Sequence, residues 1–368
     1  MKRYLTMAVT AVLAVCLCRE SAGAVDTNAV AAVLMDATSG RVLYAQNINE
    51  PMLIASTTKL MTALVAVEVW DDLDRDVTIK PEWTGIEGSS MYLQPGEIVS
   101  VRELLYGLLL QSGNDAALAL ACIAAGDERS FAVLMNEKAA ELGMTNSNFV
   151  NASGLNDAQH YSTAYDMALL ARACLENKVV AEICATQSAV FGTRVLYNHN
   201  KLLNRYEGCI GMKTGYTELA GRTLVSAAER NGQTLICVTL NDRNDWNDHE
   251  KLLDYGFSAY PLKEICSEDM CYGNVKIEGS LMPAVAAVSA ERVVFPLAEG
   301  ESLDARVEIC SVLYAPVVAG DSIGRVSWLL NGTIVAETEL VSAGSADNNV
   351  YFRKHIRERI LKWLVETF

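Results

Sequence analysis

The chain has 368 residues, of which 51% are hydrophobic and 20% are charged, and this balance excludes an intrinsically disordered protein. Its formal net charge of −15 disfavours a nucleic acid as the binding partner. The length is sufficient for one large domain and a smaller one.

The N-terminal residues 1–24 have the pattern of a secretory signal peptide. Basic residues precede an uncharged, mostly apolar run, and small residues follow at 22–24. Because the apolar run is short for a helix that spans a membrane, we expect cleavage after Ala24 and export of the rest of the chain. The residues before Cys16 loosely resemble a lipoprotein signal, so lipidation of that cysteine is the alternative.

The cysteines beyond this signal lie at positions 122, 174, 184, 209, 237, 266, 271 and 310. They form no Cys-x-x-Cys pair, and most lie in apolar runs. This pattern predicts packed, reduced thiols, with Cys266 and Cys271 as the exception. The histidines show no metal-ligand spacing with Cys, Asp or Glu, so we expect neither a metal nor a cofactor.

Residues 25–262 are predicted to form a domain of the α+β class. Two runs rich in Val and Leu flank Thr38-Ser39-Gly40 and predict a β-hairpin, and residues 211–240 predict further strands joined by a tight turn at Asn231-Gly232. Apolar residues at helical spacing predict the helices of the domain. Their ranges are 60–69, 101–110, 115–125, 128–142, a segment that begins near 163, and 246–255.

Two of these helices have a predicted N-cap residue. Ser100 and Glu103 form a capping box before the helix over 101–110. Asn114 is predicted to cap the helix that follows. Ser112 and Asn114 therefore lie in a short loop between the two helices.

The C-terminal part of the chain has a different pattern. Short strands separated by Gly, Pro and Asn predict a small all-β domain over 265–345. Over 350–368, apolar residues fall at helical spacing (Phe352, Ile356, Ile360, Trp363, Leu364) and basic residues occupy other positions (Arg353, Lys354, Arg357, Arg359, Lys362). Such a helix is typical of a segment that lies on a membrane surface. The alternative is a terminal helix that packs on the β domain.

Ser56 and Lys59 stand at the start of the first predicted helix. A serine hydroxyl is a poor nucleophile until a neighbouring base takes its proton, and residues three apart share one face of a helix. A lysine that is desolvated near other cations, at the positive end of a helix dipole, has a lowered pKa and can be that base. The pair therefore predicts a serine nucleophile activated by lysine.

Two further motifs offer the other groups that acyl transfer needs. Ser112 is placed to relay a proton to a leaving amine, and the Asn114 amide to hold a substrate carbonyl or Lys59 itself. Lys213 would lower the pKa of Lys59 and attract a substrate carboxylate. Gly215, on a predicted strand, leaves room for an extended peptide.

The motifs Ser56-Thr57-Thr58-Lys59, Ser112-Gly113-Asn114 and Lys213-Thr214-Gly215, in this order, resemble those of the Ser–Lys acyl-transfer enzymes, which include penicillin-binding proteins and class A β-lactamases. The stretches GSSMYLQPGE, LLYGLLLQSGNDAALALA, HYSTAYDMALLAR and KTGYTELAG resemble the low-molecular-mass D-alanyl-D-alanine carboxypeptidases. The resemblance implies a β-lactamase/DD-peptidase-like fold, an antiparallel sheet flanked by helices, followed by the small β domain and an amphipathic membrane anchor over 350–368.

The resemblance also implies the roles of the site residues. Ser56 would be acylated by a peptidoglycan pentapeptide that ends in D-Ala-D-Ala, with Lys59 as the base and Ser112 as the proton relay. The backbone N–H groups of Ser56 and Tyr216 would form the oxyanion hole. The substrate-binding residues would be Asn114, Lys213, Thr214, Gly215 and Tyr216. The enzyme would be inhibited by β-lactams and lie on the outer face of the cytoplasmic membrane.

Two alternatives share this fold. Class A β-lactamases have Ser-Asp-Asn as the second motif and a glutamate that activates the deacylating water, whereas this chain has Gly113 and no glutamate between Glu141 and Glu176. The second alternative is a sensor that binds β-lactams covalently without turnover. The intact Ser56 and Lys59 disfavour an inactive site.

Overall fold

In the computed structural model of the protein, the described residues are 25–348 and 350–367. They fall into two compact units, of which the larger ends at Tyr260 and the smaller begins at Pro261. The predicted signal peptide over 1–24 lies outside the described residues.

The larger unit combines strands and helices. Its strands are β1 (Ala31–Asp36), β2 (Val42–Gln46), β3 (Asp76–Thr78), β4 (Ile98–Ser100), β5 (Ser188–Phe191), β6 (Arg194–Tyr197), β7 (Cys209–Thr217), β8 (Gly221–Arg230) and β9 (Gln233–Leu240). Its helices are α1 (Lys59–Val69), α2 (Val101–Leu109), α3 (Asn114–Ala125), α4 (Glu128–Glu141), α5 (Ala164–Glu176), α6 (Lys178–Ala185), α7 (Leu202–Arg205) and α8 (Asp245–Ala259), with 3₁₀ turns over Ala55–Thr58 and Pro81–Trp83.

Five of these strands form an antiparallel sheet in the order β2-β1-β9-β8-β7. The predicted β1–β2 hairpin and the Asn231-Gly232 turn between β8 and β9 are confirmed, and both turn residues have the positive φ that a two-residue hairpin turn requires. Leu252 and Leu253 of α8 pack on one face of the sheet, and α1 to α6 cover the other. Strand β7 lies at an edge.

The two predicted N-caps have different outcomes. The Ser100 hydroxyl accepts a hydrogen bond from the Glu103 backbone N–H at 3.0 Å, which confirms the cap of α2, although the Glu103 carboxylate pairs with Arg194 instead of returning to Ser100. The prediction that Asn114 caps α3 is wrong. Gly113 is the N-cap residue, because the Asn114 side chain is hydrogen-bonded to distant parts of the chain.

The smaller unit is all-β up to its last helix, as predicted. Its strands are β10 (Leu262–Cys266), β11 (Cys271–Glu278), β12 (Ala284–Ser289), β13 (Val293–Pro296), β14 (Asp304–Ile309), β15 (Val312–Tyr314), β16 (Ser322–Leu330) and β17 (Thr333–Ser342). Strand β10 pairs with β13, and the other six form a sheet in the order β14-β16-β17-β12-β11-β15. Val326, Trp328 and Leu340 lie in its core.

The predicted C-terminal helix is present as α9 (Val350–Thr367). Its side chains over 357–366 are exposed, and they include the apolar Ile360, Trp363 and Val365. Among the helices of the described residues, none is long and apolar enough to cross a membrane.

All eight cysteines in the described part of the chain are free thiols. The predicted exception for Cys266 and Cys271 is therefore wrong. The buried Cys266 sulfur accepts a hydrogen bond from the Tyr272 hydroxyl at 3.2 Å, whereas Cys271 is exposed. Cys174 and Cys184 are completely buried, and burial raises the pKa of both thiols, so they pack as small apolar side chains.

Candidate active site

Ser56 and Lys59 meet where a 3₁₀ turn passes into α1. Ser56 lies in the turn Ala55–Thr58, and Lys59 is the first residue of the helix. The Lys59 Nζ atom donates a hydrogen bond to the Ser56 Oγ atom at 2.9 Å. Ala55 has a φ of 47°, an uncommon conformation for a residue with a side chain. The structure thus brings the predicted nucleophile and base into direct contact.

Lys59 is completely buried although it can carry a positive charge. Its Nζ atom also donates to the Asn114 Oδ1 atom at 2.8 Å and to the Ser153 carbonyl oxygen at 2.6 Å, so every N–H of an ammonium group has an acceptor. Burial, and after it the charge of Lys213, hold the pKa of Lys59 far below its ordinary value, while Asp115 acts in the opposite direction. A lowered pKa makes the neutral, proton-accepting amine accessible.

Asp115 and the segment 87–93 hold Asn114 in place. The buried Asp115 carboxylate accepts hydrogen bonds from the Ser90 hydroxyl at 2.6 Å, the Met91 N–H at 3.0 Å and the Leu93 N–H at 3.1 Å. The same segment binds Asn114 directly. The Asn114 side-chain amide donates a hydrogen bond to the Glu87 carbonyl oxygen, and the Asn114 backbone N–H donates one to the Ser89 carbonyl oxygen. Asp115 is not among the predicted site residues, although an acidic residue directly after the second motif is a signal for it.

Ser112 lies in the loop between α2 and α3, where it is buried and has a φ of 60°. The His199 ring is 3.1 Å from the Gln111 Oε1 atom and so braces this loop. Within the described residues, no hydrogen bond joins the Ser112 hydroxyl to Ser56 or Lys59. The structure therefore shows Ser112 as a buried residue of this loop without a direct hydrogen bond to the pair.

The third motif lies on the edge strand β7. Lys213 is 1% exposed, and burial lowers its pKa to about 8, with the nearby Cys184 thiol acting in the opposite direction. Its Nζ atom donates to the Thr214 carbonyl oxygen at 3.0 Å. Tyr216, by contrast, exposes 64% of its surface. The strand thus offers a buried cation and an exposed tyrosine next to an open sheet edge.

Gly215 is needed because β7 passes directly beside the 3₁₀ turn. A Cβ atom at this position would lie 2.3 Å from the Thr223 Oγ1 atom and 3.0 Å from the Ser56 backbone nitrogen. This contact gives a second reason for the glycine besides the predicted room for an extended peptide. It also fixes the strand against the backbone of Ser56.

The segment that follows residue 149 forms a wall beside the pair. His160 is buried there, and its Nδ1 atom accepts a hydrogen bond from the Val150 N–H at 3.2 Å. Its Nε2 atom therefore carries the proton and donates to the Thr58 hydroxyl at 2.8 Å. Burial lowers the pKa of His160 to about 4, so the ring is neutral at pH 7 and supports the wall.

Gly154→Ala is expected to slow acylation at the predicted nucleophile, although the added Cβ atom meets Ala55 and Thr58 and not Ser56 or Lys59. Gly154 has a φ of 83°, and a Cβ atom there would lie 1.9 Å from the Ala55 carbonyl oxygen. The left-handed φ costs about 1–2 kcal/mol and the overlap about 1–3 kcal/mol more. The Ser153 carbonyl that binds Lys59 would shift. The measurements are the melting temperature and the rate of penicillin acylation.

Gly192→Ala is the matched control for this variant. Gly192 also has a positive φ, of 57°, but no atom lies within 4 Å of the position of its Cβ. This variant should be destabilised only by the unfavourable backbone conformation, and it should be acylated at the wild-type rate. Equal effects of the two substitutions would contradict the importance of the contact between Gly154 and Ala55.

Arg222 lies across from Tyr216 in the β7–β8 pair. Its guanidinium donates to the Asp245 Oδ2 atom from two nitrogens, at 2.8 and 3.0 Å, and lies 5.5 Å from the centre of the Trp246 ring. These contacts tie β8 to the start of α8. They account for a large charged residue so close to the third motif.

A serine and a lysine in hydrogen-bond contact, beside an edge strand that carries a second lysine, define a serine enzyme of the penicillin-binding class. In the described residues, no group of three or more His, Cys, Asp or Glu side chains is placed to hold a metal ion. The chain belongs to the D-alanyl-D-alanine carboxypeptidase family, whose model matches residues 18–244, and the model of the penicillin-binding protein 5 C-terminal domain matches residues 260–347. It is thus a serine-type carboxypeptidase of cell-wall biogenesis.

Individual relatives support this assignment over most of the chain. D-alanyl-D-alanine carboxypeptidase DacF of Bacillus subtilis is 31% identical over 331 residues, 85% of each chain. DacC of Escherichia coli is 35% identical over 351 residues, 89% of this chain and 86% of its own. Among solved structures, penicillin binding protein 5 from Haemophilus influenzae has a TM-score of 0.74 at 28% identity and covers 88% of this chain and 98% of its own. The predicted family and fold class are confirmed.

Proposed function

We propose that Ser56 is the residue acylated by substrate and that Lys59 is its general base. Neutral Lys59 takes the proton of the Ser56 hydroxyl as the Oγ atom attacks the carbonyl carbon of the penultimate D-Ala of a pentapeptide stem. The backbone N–H groups of Ser56 and Tyr216 stabilise the oxyanion that forms. The observation that carries this proposal is the 2.9 Å hydrogen bond between Ser56 and a completely buried Lys59.

Collapse of the tetrahedral intermediate breaks the C–N bond to the terminal D-Ala. The leaving amine takes a proton relayed from Lys59 through Ser112, so that D-Ala departs neutral at its amine and an ester remains on Ser56. A water molecule then attacks this ester, again with Lys59 as the base. Its hydrolysis releases the shortened stem and restores the Ser56 hydroxyl.

The substrate lies along the open edge of β7 in an extended conformation. Main-chain hydrogen bonds to a sheet edge suit a peptide, and β7 is the terminal strand of its sheet. Lys213 and Thr214 bind the terminal carboxylate, Asn114 binds a substrate carbonyl, and Gly215 and Tyr216 line the strand. Lys213 is positively charged below its lowered pKa of about 8 and can then pair with this carboxylate.

A peptide of the form diacyl-L-Lys-D-Ala-D-Ala tests the function of the purified chain. We expect release of free D-Ala and, with penicillin, a covalent adduct that is hydrolysed slowly. Rapid hydrolysis of the adduct would favour a β-lactamase. A stable adduct without any D-Ala release would favour a sensor.

The pH dependence of substrate binding tests Lys213. Its ammonium group is charged below the lowered pKa of about 8 and neutral above it. We therefore expect KM for the peptide to rise between about pH 7 and about pH 9. Lys213→Arg, whose guanidinium stays charged over this range, should show no such rise. A wild-type KM that is constant across this range would argue against carboxylate binding by Lys213.

We also propose that the chain is exported through its signal over 1–24 and attaches to the outer face of the cytoplasmic membrane. In this proposal the catalytic domain over 25–262 and the β domain over 265–345 precede an amphipathic anchor over 350–368. The exposure of apolar side chains in α9, such as 61% for Trp363, supports a lipid surface as their partner.

Deletion of residues 352–368 is expected to move the protein from the membrane fraction to the soluble fraction of cells. The reason is the loss of both the apolar and the basic side chains of α9. Fractionation followed by penicillin labelling measures the distribution. Continued membrane association would point to an uncleaved signal or to lipidation of Cys16.

A further inference from the structure

Four exposed apolar side chains occur at one end of the six-stranded sheet. They are Leu281 (78% exposed), Met282 (43%), Tyr314 (73%) and Val318 (59%), and together they are called the tip patch. Single exposed apolar residues are ordinary on a protein surface, but a group of them marks a site of interaction.

The strand pairing brings the loops of the tip patch together. The first two residues lie in the turn between β11 and β12, and Tyr314, at the end of β15, pairs with Glu278 at the end of β11. The Ala315 N–H also donates to the Glu278 carbonyl oxygen at 2.9 Å. The two loops are therefore joined where β11 and β15 end.

Helix α9 leaves the sheet from this same end. Val317, directly before the last residue of the tip patch, pairs with Ala346 through two backbone hydrogen bonds of 2.9 and 2.8 Å. Ala346 lies only four residues before Val350, the first residue of α9. The start of the helix is thus within about 14 Å of Ala346, the reach of four extended residues, and Ala346 pairs with the residue that precedes Val318 of the tip patch.

The composition of these loops is uncharged. Residues 279–283 and 312–320 contain no Asp, Glu, Lys or Arg, and the exposed acidic Asp321 and Asp347 lie just outside them. On β11, directly before the first loop, the exposed Glu278 pairs with Lys276 at 2.6 Å, and further basic residues lie in α9. An uncharged apolar surface with a tyrosine suits the boundary between lipid headgroups and acyl chains.

We propose that the tip patch enters the lipid surface beside α9 as a second membrane contact. This inference rests on the proposed membrane attachment of the chain. One weak anchor gives marginal, reversible binding, and stable attachment takes two signals. Helix α9 supplies a contact that depends on anionic lipid and salt, whereas the tip patch supplies one that depends on neither.

A double substitution of the full chain, Leu281→Ser with Tyr314→Ser, tests this proposal. Binding to vesicles of phosphatidylcholine, with and without phosphatidylglycerol, is measured by co-sedimentation at low and high salt. We expect binding about tenfold weaker or more on both kinds of vesicle, with an unchanged salt dependence. Release of D-Ala from a soluble peptide should stay at the wild-type level, which shows that the variant is folded.

Ile334→Ser is the matched control. Ile334 is 45% exposed and follows the Asn331-Gly332 turn between β16 and β17, at the opposite end of the same sheet. Its substitution should leave vesicle binding within about twofold of wild type, as expected for a residue that remains in water on both sides of the equilibrium.

Three other outcomes would overturn the proposal. Wild-type binding of the double variant, together with loss of binding when 352–368 is deleted, would leave α9 as the sole anchor and the membrane attachment intact. Loss of a dimer in analytical ultracentrifugation, with vesicle binding unchanged, would make the tip patch an interface between two copies. A full chain that binds no vesicles would remove both contacts, while the D-Ala assay would still decide the enzymatic function.

Discussion

Ser56→Ala should abolish both the release of D-Ala and covalent labelling by penicillin. The substitution removes the only atom proposed to attack the substrate, and loss of a catalytic serine nucleophile costs at least about 10⁴-fold in rate. Ser56 is only half-buried, so the fold should persist. Mass spectrometry of the penicillin-treated variant and a D-Ala assay measure the two losses.

Thr57→Val is the control for this experiment. Thr57 carries the neighbouring hydroxyl of the same turn, and that hydroxyl donates only to the Ile54 carbonyl, at 2.6 Å. The Ile54 carbonyl also accepts from Thr223 at 3.1 Å, so the turn keeps a tie to β8. Activity should stay within about tenfold of wild type, because one neutral hydrogen bond is worth about 1 kcal/mol. Penicillin labelling that persists in Ser56→Ala would contradict the assignment of Ser56 as the nucleophile.

Lys59→Met should slow acylation by about 10²–10⁴-fold while the chain stays folded. General-base catalysis contributes a factor of this size, and methionine fills the space without a buried charge. In the wild type, the acylation rate should rise with pH as Lys59 loses its proton, at a pH well below the ordinary pKa of lysine. The variant should lack this limb of the profile, which stopped-flow measurement of acylation would show.

Lys213→Met separates the two buried lysines. The positive charge of Lys213 lowers the pKa of Lys59, so its removal should move the rise of the acylation rate to higher pH without abolishing that rise. It should also raise KM for the carboxylate-bearing peptide. If Lys59→Met kept the limb and Lys213→Met removed it, the roles of the two residues would be reversed.

The local features of the fold could be predicted from sequence. The contact between Ser56 and Lys59 follows from a spacing of three residues at the start of a helix, and the Asn231-Gly232 turn follows from the left-handed φ that those residues tolerate. The cap at Ser100 is of the same kind. In each case the partners are close in the chain, so the pattern of residue types determines the geometry.

The contacts that complete the site join residues far apart in sequence. The Ser153 carbonyl that binds Lys59 is 94 residues away, and Asn114 is 55 residues away. A single sequence gives no distance across such a separation. The prediction of Asn114 as a cap is wrong for this reason. Its side-chain oxygen accepts a hydrogen bond from the distant Lys59 and not from the free N–H groups of its own helix. The role of Asp115 depends on the same long-range packing.

The two buried lysines lower the stability of the fold. Lys59 and Lys213 are both withdrawn from water, and the charge of Lys213 further disfavours the charged form of Lys59. Apolar residues of similar size at these positions would give a more stable chain without activity. In the proposed function, the carboxylate of the substrate pairs with Lys213 and compensates its positive charge. Binding of a substrate analogue should therefore raise the melting temperature. This thermal protection makes the compromise between stability and catalysis visible.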